Sequence, residues 1–151
     1  MQRIDICVDY AICAMTLRER IKRHEGKRNT PYRDSLGVLT VGYGRNLEDV
    51  PFTDREIEVM FESDFQRAVI AAQTFDVYED LNDARKGVLT EMCFQMGRAG
   101  VSKFKQFLAA ATRQDWDGAA SQLLNSLWAS QTPARAKTLA EIFRRGTVDD
   151  A

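Results

Sequence analysis

Apolar residues recur along this chain in two rhythms. From about residue 3 to 24 the rhythm is helical, with Ile4, Val8, Ile12, Met15 and Leu17 available for one buried stripe. Gly26, directly after His24 and Glu25, supplies the helix stop. The next stretch changes character. Thr30 to Gly37 is rich in turn-forming residues, and Val38-Leu39-Thr40-Val41-Gly42-Tyr43-Gly44 is β-branched and aromatic, so a small antiparallel sheet is predicted with Asp34 to Gly37 as its tight turn. Thr53 followed by Glu56 reads as a capping box. Ile57, Met60, Phe61, Phe65, Ala68 and Val69 then return at helical spacing, which predicts a long helix over 54–74. Further helices are expected over 82–96 with a stop at Gly97, over 103–111, and over 115–124. A last one opens with Thr132 as cap and Pro133 at the first helical position, and runs to about Arg144 before Gly146.

The order of elements predicts an α+β fold, a small β-hairpin element inserted among helices. So small a sheet cannot hold a core alone, so the expected architecture is two lobes flanking a cleft, with the core in the helical lobe. At 151 residues the chain has the size of one domain. Within it, residues 1–14 extend the first helix, 27–52 form the small β lobe and 75–147 the helical lobe.

Composition changes this picture little, since 44% hydrophobic and 28% charged residues are ordinary for a globular protein. Charge is uneven beneath a net of -1, with a basic run over 18–28 and twelve acids against four basic residues over 48–91. A solvated helix surface accounts for any single run. The acidic connection between the helices at 54–74 and 82–97 repels phosphate and is too long for a helix-turn-helix, so no nucleic-acid partner is expected. Cys7, Cys13 and Cys93 have no metal-ligand spacing and are expected as reduced thiols, and neither metal nor cofactor is called for. Asp5 and Asp9 interrupt the apolar N-terminus, which reads as neither signal peptide nor membrane span. The protein is therefore expected in the cytoplasm where it is made.

Glycoside hydrolysis uses two carboxylates in different surroundings, one kept protonated in a partly dry site, the other ionised and near water. Glu25, at the end of the first helix, and Asp34, in the wet turn of the sheet, suit those two roles. Thr40 returns on the next strand with a hydroxyl able to orient a water for Asp34. Spacing alone does not single out this pair among 22 acidic residues, most of which are surface charges.

Three blocks do. His24-Glu25-Gly26, Pro31-Tyr32-Arg33-Asp34 and Leu39-Thr40-Val41-Gly42-Tyr43-Gly44 form the first, Phe94-Gln95-Met96-Gly97 the second, and Trp128 with Gln131-Thr132-Pro133-Ala134-Arg135-Ala136 the third. In order and spacing the chain resembles the phage-type lysozymes, a family of endolysins, over residues 15 to about 147. The resemblance implies two lobes joined by a long helix, and hydrolysis of the β-1,4 bond between N-acetylmuramic acid and N-acetylglucosamine in peptidoglycan, with inversion. It makes Glu25 the general acid, Asp34 the base and Thr40 its assistant. Arg135 matches a guanidinium that pairs with the catalytic Glu. Phe94 and Gln95 match the far wall of the cleft, where the Gln95 amide would read acetamido groups, and Tyr32 belongs to the substrate-binding surroundings. As side chains, Phe94 and Trp128 are expected to pack in the core.

The chain also departs from the family pattern. Arg45 stands where a relative has a structural histidine and is expected to pair with an acid instead. The segment between Asn46 and Thr53 is shortened, and the first helix is lengthened by about fourteen residues. His24 is read as a structural or surface residue. The implied partner is peptidoglycan, met by a monomer after release that calls for a separate holin. Rival readings are a hydrolase of related glycans such as chitin, and a membrane-permeabilising protein making transient membrane contact through the basic amphipathic segment 134–145.

Overall fold

The structure, a computed structural model, describes residues 17–148. The expected helix over 3–16, with Ile4, Val8, Ile12 and Met15 of its apolar stripe and the first two cysteines, lies outside the described residues, whereas Leu17 of that stripe is exposed. Contacts divide the chain into two compact units with the boundary between Asp54 and Arg55.

The first unit holds a helix over 17–25 (α1) and three strands, β1 (Arg28–Arg33), β2 (Leu39–Gly42) and β3 (Arg45–Asn46). Gly26 ends α1 as the spacing predicts, with φ +68° and its N–H donated to the Lys22 carbonyl at 3.0 Å. The strands form one antiparallel sheet in the order β1-β2-β3. Tyr32 pairs with Thr40 and Arg33 with Leu39, whereas the register slips between Arg28 and Tyr32, around Pro31, which has no N–H to give a ladder. Thr40 also pairs with Asn46. It therefore sits mid-sheet, and it is buried. The strand expected to run on to Gly44 instead ends at Gly42. Gly42 and Gly44 both take positive φ, and the chain reverses there into β3.

The second unit begins with α2 (Asp54–Gln73), which fits the expected long helix. Only Ala68 and Ala72 of α2 are buried, while Ile57, Met60, Phe61 and Phe65 are exposed. A 3-10 turn (Asp76–Asp80) leads to α3 (Asp83–Val101), then α4 (Lys105–Thr112), α5 (Trp116–Leu124), α6 (Leu127–Gln131) and α7 (Pro133–Arg145). The stop expected at Gly97 appears as a break inside α3, where φ is 69° and ψ 170° before the helix resumes. Side-chain caps start three of these helices: Asn82 accepts from the Arg85 N–H, Asp115 from Gly118 and Ser126 from Ala129.

Thr132 corrects the expected cap. Its hydroxyl donates to the Trp128 carbonyl at 3.1 Å, closing the end of α6, and no side chain caps α7. The short α6 went unforeseen, and it is what draws Thr132 backwards. Pro133 does open α7, and Gly146 closes it in a left-handed conformation.

The core of the second unit gathers Leu89, Met92, Phe107, Leu123 and Phe143, with α5 packed on α4 and α7. The Phe143 ring lies 4.9 Å from that of Phe107 and 5.9 Å from that of Trp116. Segment 134–145 spends its apolar side on this core, since Ala136, Leu139, Ala140, Ile142 and Phe143 are all buried. That disposes of the apolar stripe on which the membrane-permeabilising reading rested. Arg85 staples the end of α7. Its Nε donates to the Phe143 carbonyl at 2.8 Å and its Nη2 to that of Arg144 at 3.2 Å, while the guanidinium lies 3.9 Å from the centre of the Trp116 ring. Among the described residues no helix is long and apolar enough to cross a membrane.

Cys93 is buried in this core, and burial pushes its thiol from the ordinary value of 9.0 up to about 11. Above the ordinary value the unfolded chain releases a proton that the folded chain retains, so folding weakens as pH rises. Stability measured by urea unfolding is expected to fall between about pH 9 and about pH 11, and Cys93→Val is expected to remove that part of the decline. An unchanged alkaline slope in the variant would contradict this assignment.

Candidate functional site

In the first unit, Asp34 both builds its turn and presents a candidate carboxylate. Its N–H donates to the Val38 carbonyl at 3.0 Å, and its carbonyl accepts from the Gly37 N–H at 3.0 Å. Its Oδ1 accepts from the N–H groups of Leu36 at 2.8 Å and Val38 at 2.9 Å. The half-buried side chain is thereby fixed through one oxygen, and among the described residues Oδ2 takes no protein hydrogen bond.

Glu25 is the last residue of α1, and it is exposed. The partly dry surroundings expected for a general acid are thus absent around it. Beside its carboxylate stands a glycine. A Cβ built on Gly44 would stand 2.9 Å from Glu25 Oε2, and Gly44 also has φ +81°. The β2–β3 turn therefore gives the carboxylate room. Gly44 was visible in its motif, but its service to Glu25 could be found only once α1 and the turn were placed.

Thr40 does not bond to Asp34. Its hydroxyl donates to the carbonyl of Val38 at 3.1 Å, the residue whose N–H also holds Asp34. With its proton committed, Oγ1 has lone pairs left to accept. Tyr32 lies across the ladder from Thr40, and the Arg28 guanidinium sits 4.4 Å from the centre of its ring. Arg45 donates from Nη2 to the Pro51 carbonyl at 2.7 Å and covers the Phe52 ring at 4.7 Å. His24 is exposed.

The remaining candidates belong to the second unit. Gln95 is half-buried, and its Oε1 accepts from Trp128 Nε1 at 3.0 Å, which leaves its amide NH2 to be presented. Trp128 is buried, as expected of core packing. Phe94 is not. It is 44% exposed, with its ring 5.7 Å from that of Phe61. Phe94 sits one position before Gln95 on α3, and turns to a pocket of ≈ 380 Å³ lined also by Phe65, Val69, Thr90 and Arg135. Arg135 finds Glu91 within its own unit, Nε to Oε1 at 3.5 Å. No group of three or more His, Cys, Asp or Glu side chains suited to a metal ion occurs among the described residues.

Comparison with known proteins bears on the whole chain. The family described as phage lysozyme matches residues 22–147. A probable T4-type lysozyme 2 of Dictyostelium discoideum is 28% identical over 89% of this chain and 97% of its own length. The pre-baseplate central spike protein Gp5 of Enterobacteria phage T4 is 29% identical over 89% of this chain but only 28% of its own. A SAR-endolysin of Bacteriophage PS119 is 30% identical over 66% of this chain and 60% of its own. With a match across both the sheet-bearing and the helical unit, the chain belongs to the phage lysozyme family.

Proposed function

We propose that this glycosidase of the lysozyme type cuts the β-1,4 bond between N-acetylmuramic acid and N-acetylglucosamine in bacterial peptidoglycan, as an endolysin that lyses the host. The observation that carries the reading is Asp34, pinned through Oδ1 by two backbone N–H groups and open at Oδ2. That is the posture of a base that must keep its aim while taking a proton from water.

In this reading Glu25 gives its proton to the glycosidic oxygen as the bond to the anomeric carbon breaks. The attacking water passes its proton to Asp34 Oδ2, and its oxygen joins the anomeric carbon from the opposite face. Thr40, whose own proton is held by the Val38 carbonyl, accepts from that water and orients it. Bound glycan covers the exposed Glu25 and excludes water from around it. Gln95 offers its amide NH2 to the acetamido carbonyl of the substrate, with Tyr32, Phe94 and Arg135 as supporting residues. The enzyme acts as a monomer, needs no cofactor, and reaches the wall from the host cytoplasm once a holin releases it. The SAR-endolysin of PS119 lends support to the endolysin role by its name.

Glu25→Gln and Asp34→Asn are each expected to slow the release of reducing ends from purified peptidoglycan by about a hundredfold or more, while both proteins stay folded. Chitin in place of peptidoglycan is expected to release far fewer ends, and equal rates on both would defeat the stated specificity. Nuclear magnetic resonance of the first product is expected to show the α-anomer, as inversion of a β bond requires. Gly44→Ala is expected to cost about 1–2 kcal/mol of stability in thermal unfolding from its backbone conformation. It should also displace Glu25 and lower the rate by more than that loss explains. A Gly44→Ala protein with undiminished activity would show that Glu25 does not depend on this glycine.

A further inference from the structure

Arg33 ends β1 and Leu39 begins β2, and the two are partners in register, so everything between them is the Asp34 turn. Asp34 closes that turn from inside. A second closure lies outside it. Arg33 Nη1 donates to the Gly37 carbonyl at 2.7 Å, across the same turn. Glu48 Oε1 lies 3.5 Å from Arg33 Nη1 and accepts from the Leu39 N–H at 3.3 Å, so one carboxylate oxygen touches both strands at the pair where the turn begins. Glu48 is itself braced. Its N–H donates to Asn46 Oδ1 at 2.8 Å, Asp49 N–H does so at 3.1 Å, and Asn46 Nδ2 reaches Asp49 Oδ2 at 2.8 Å. Asn46 in turn pairs with Thr40.

We propose that Arg33 and Glu48 are positioning residues for Asp34, a role that rests on reading Asp34 as the base. The side chains of Arg33 and Glu48 are 67% and 52% exposed, and an ion pair so open to water adds little to folding stability. Its consequence is geometric. Asp34 Oδ1 holds only the N–H groups of Leu36 and Val38, both of which ride on the turn that Arg33 clasps at Gly37. When the clasp opens, those donors spread, Oδ1 loses its fixed partners, and Oδ2 no longer keeps one direction toward water. The cost falls on the rate at saturating substrate, not on binding, because neither residue needs to touch the glycan.

The test uses the full chain on purified peptidoglycan with Arg33→Met, Arg33→Lys, Glu48→Gln and Asp34→Asn. Arg33→Met is expected to lower kcat about tenfold with KM within about twofold. Glu48→Gln, which retains an oxygen for the Leu39 N–H, is expected to act in the same direction and less strongly. Arg33→Lys, still able to reach the Gly37 carbonyl, is expected to recover most of the rate. The double variant Arg33→Met with Glu48→Gln is expected to be no worse than Arg33→Met alone. A folded Arg33→Met or Glu48→Gln protein with wild-type kcat overturns the proposal, as does a loss confined to KM, which would make Arg33 a substrate contact. Should Arg33→Met not fold, Glu48→Gln and Arg33→Lys carry the same test. An inactive Asp34→Asn beside a fully active Arg33→Met removes the positioning role alone. An Asp34→Asn protein at wild-type rate removes the reading of Asp34 as base together with it.

Discussion

The hairpin of the first unit turns on one oxygen atom. Asp34 Oδ1 takes the N–H groups of Leu36 and Val38, which have no other partner in a turn this tight. Satisfying them sets the start of β2, and the start of β2 sets where Thr40 falls against Tyr32 and Asn46. The same bonds leave Oδ2 as the oxygen without a protein hydrogen bond among the described residues, the one to which the proposed base role falls. Fold and site thus share a constraint, and a substitution at Asp34 cannot be read as purely catalytic until the hairpin is known to persist. Asparagine is the informative replacement because it retains an oxygen for both donors.

The helical unit is governed differently. Its core is made of facing aromatic and aliphatic side chains on α3, α4, α5 and α7, and its weak points are helix ends, where carbonyls lack partners. Arg85 meets that need at the end of α7 while standing over the Trp116 ring. One side chain from α3 therefore couples the closing of the last helix to the packing of α5. Because apolar α7 residues are consumed there, the basic residues of α7 are left as a surface without an apolar stripe, which is a poor membrane binder.

Long, strongly periodic elements were legible in the sequence. The helix over 54–73, the stops at Gly26 and Gly146, and the Asp34 turn follow from residue types whose backbone preferences act locally. What escaped depends on tertiary neighbours. Thr132 looks like a cap from its own sequence, yet it stands four residues after Trp128, at the end of α6, which claims the hydroxyl first. Phe94 and Trp128 read alike as large aromatics, but Trp128 is buried, with its N–H given to Gln95, while Phe94 remains beside the exposed Phe61. The residues proposed to cut glycan are a sharper case. Their types and spacing did not distinguish them from other carboxylates, and recognition came from companion blocks far along the chain.

Gly44 combines two demands that are usually separate: a left-handed backbone and an empty Cβ position. An L-methyl group there would point at the Glu25 carboxylate, and a positive φ is unfavourable for an L residue, so both demands follow from the handedness of the side chain and glycine, which is achiral, meets them together.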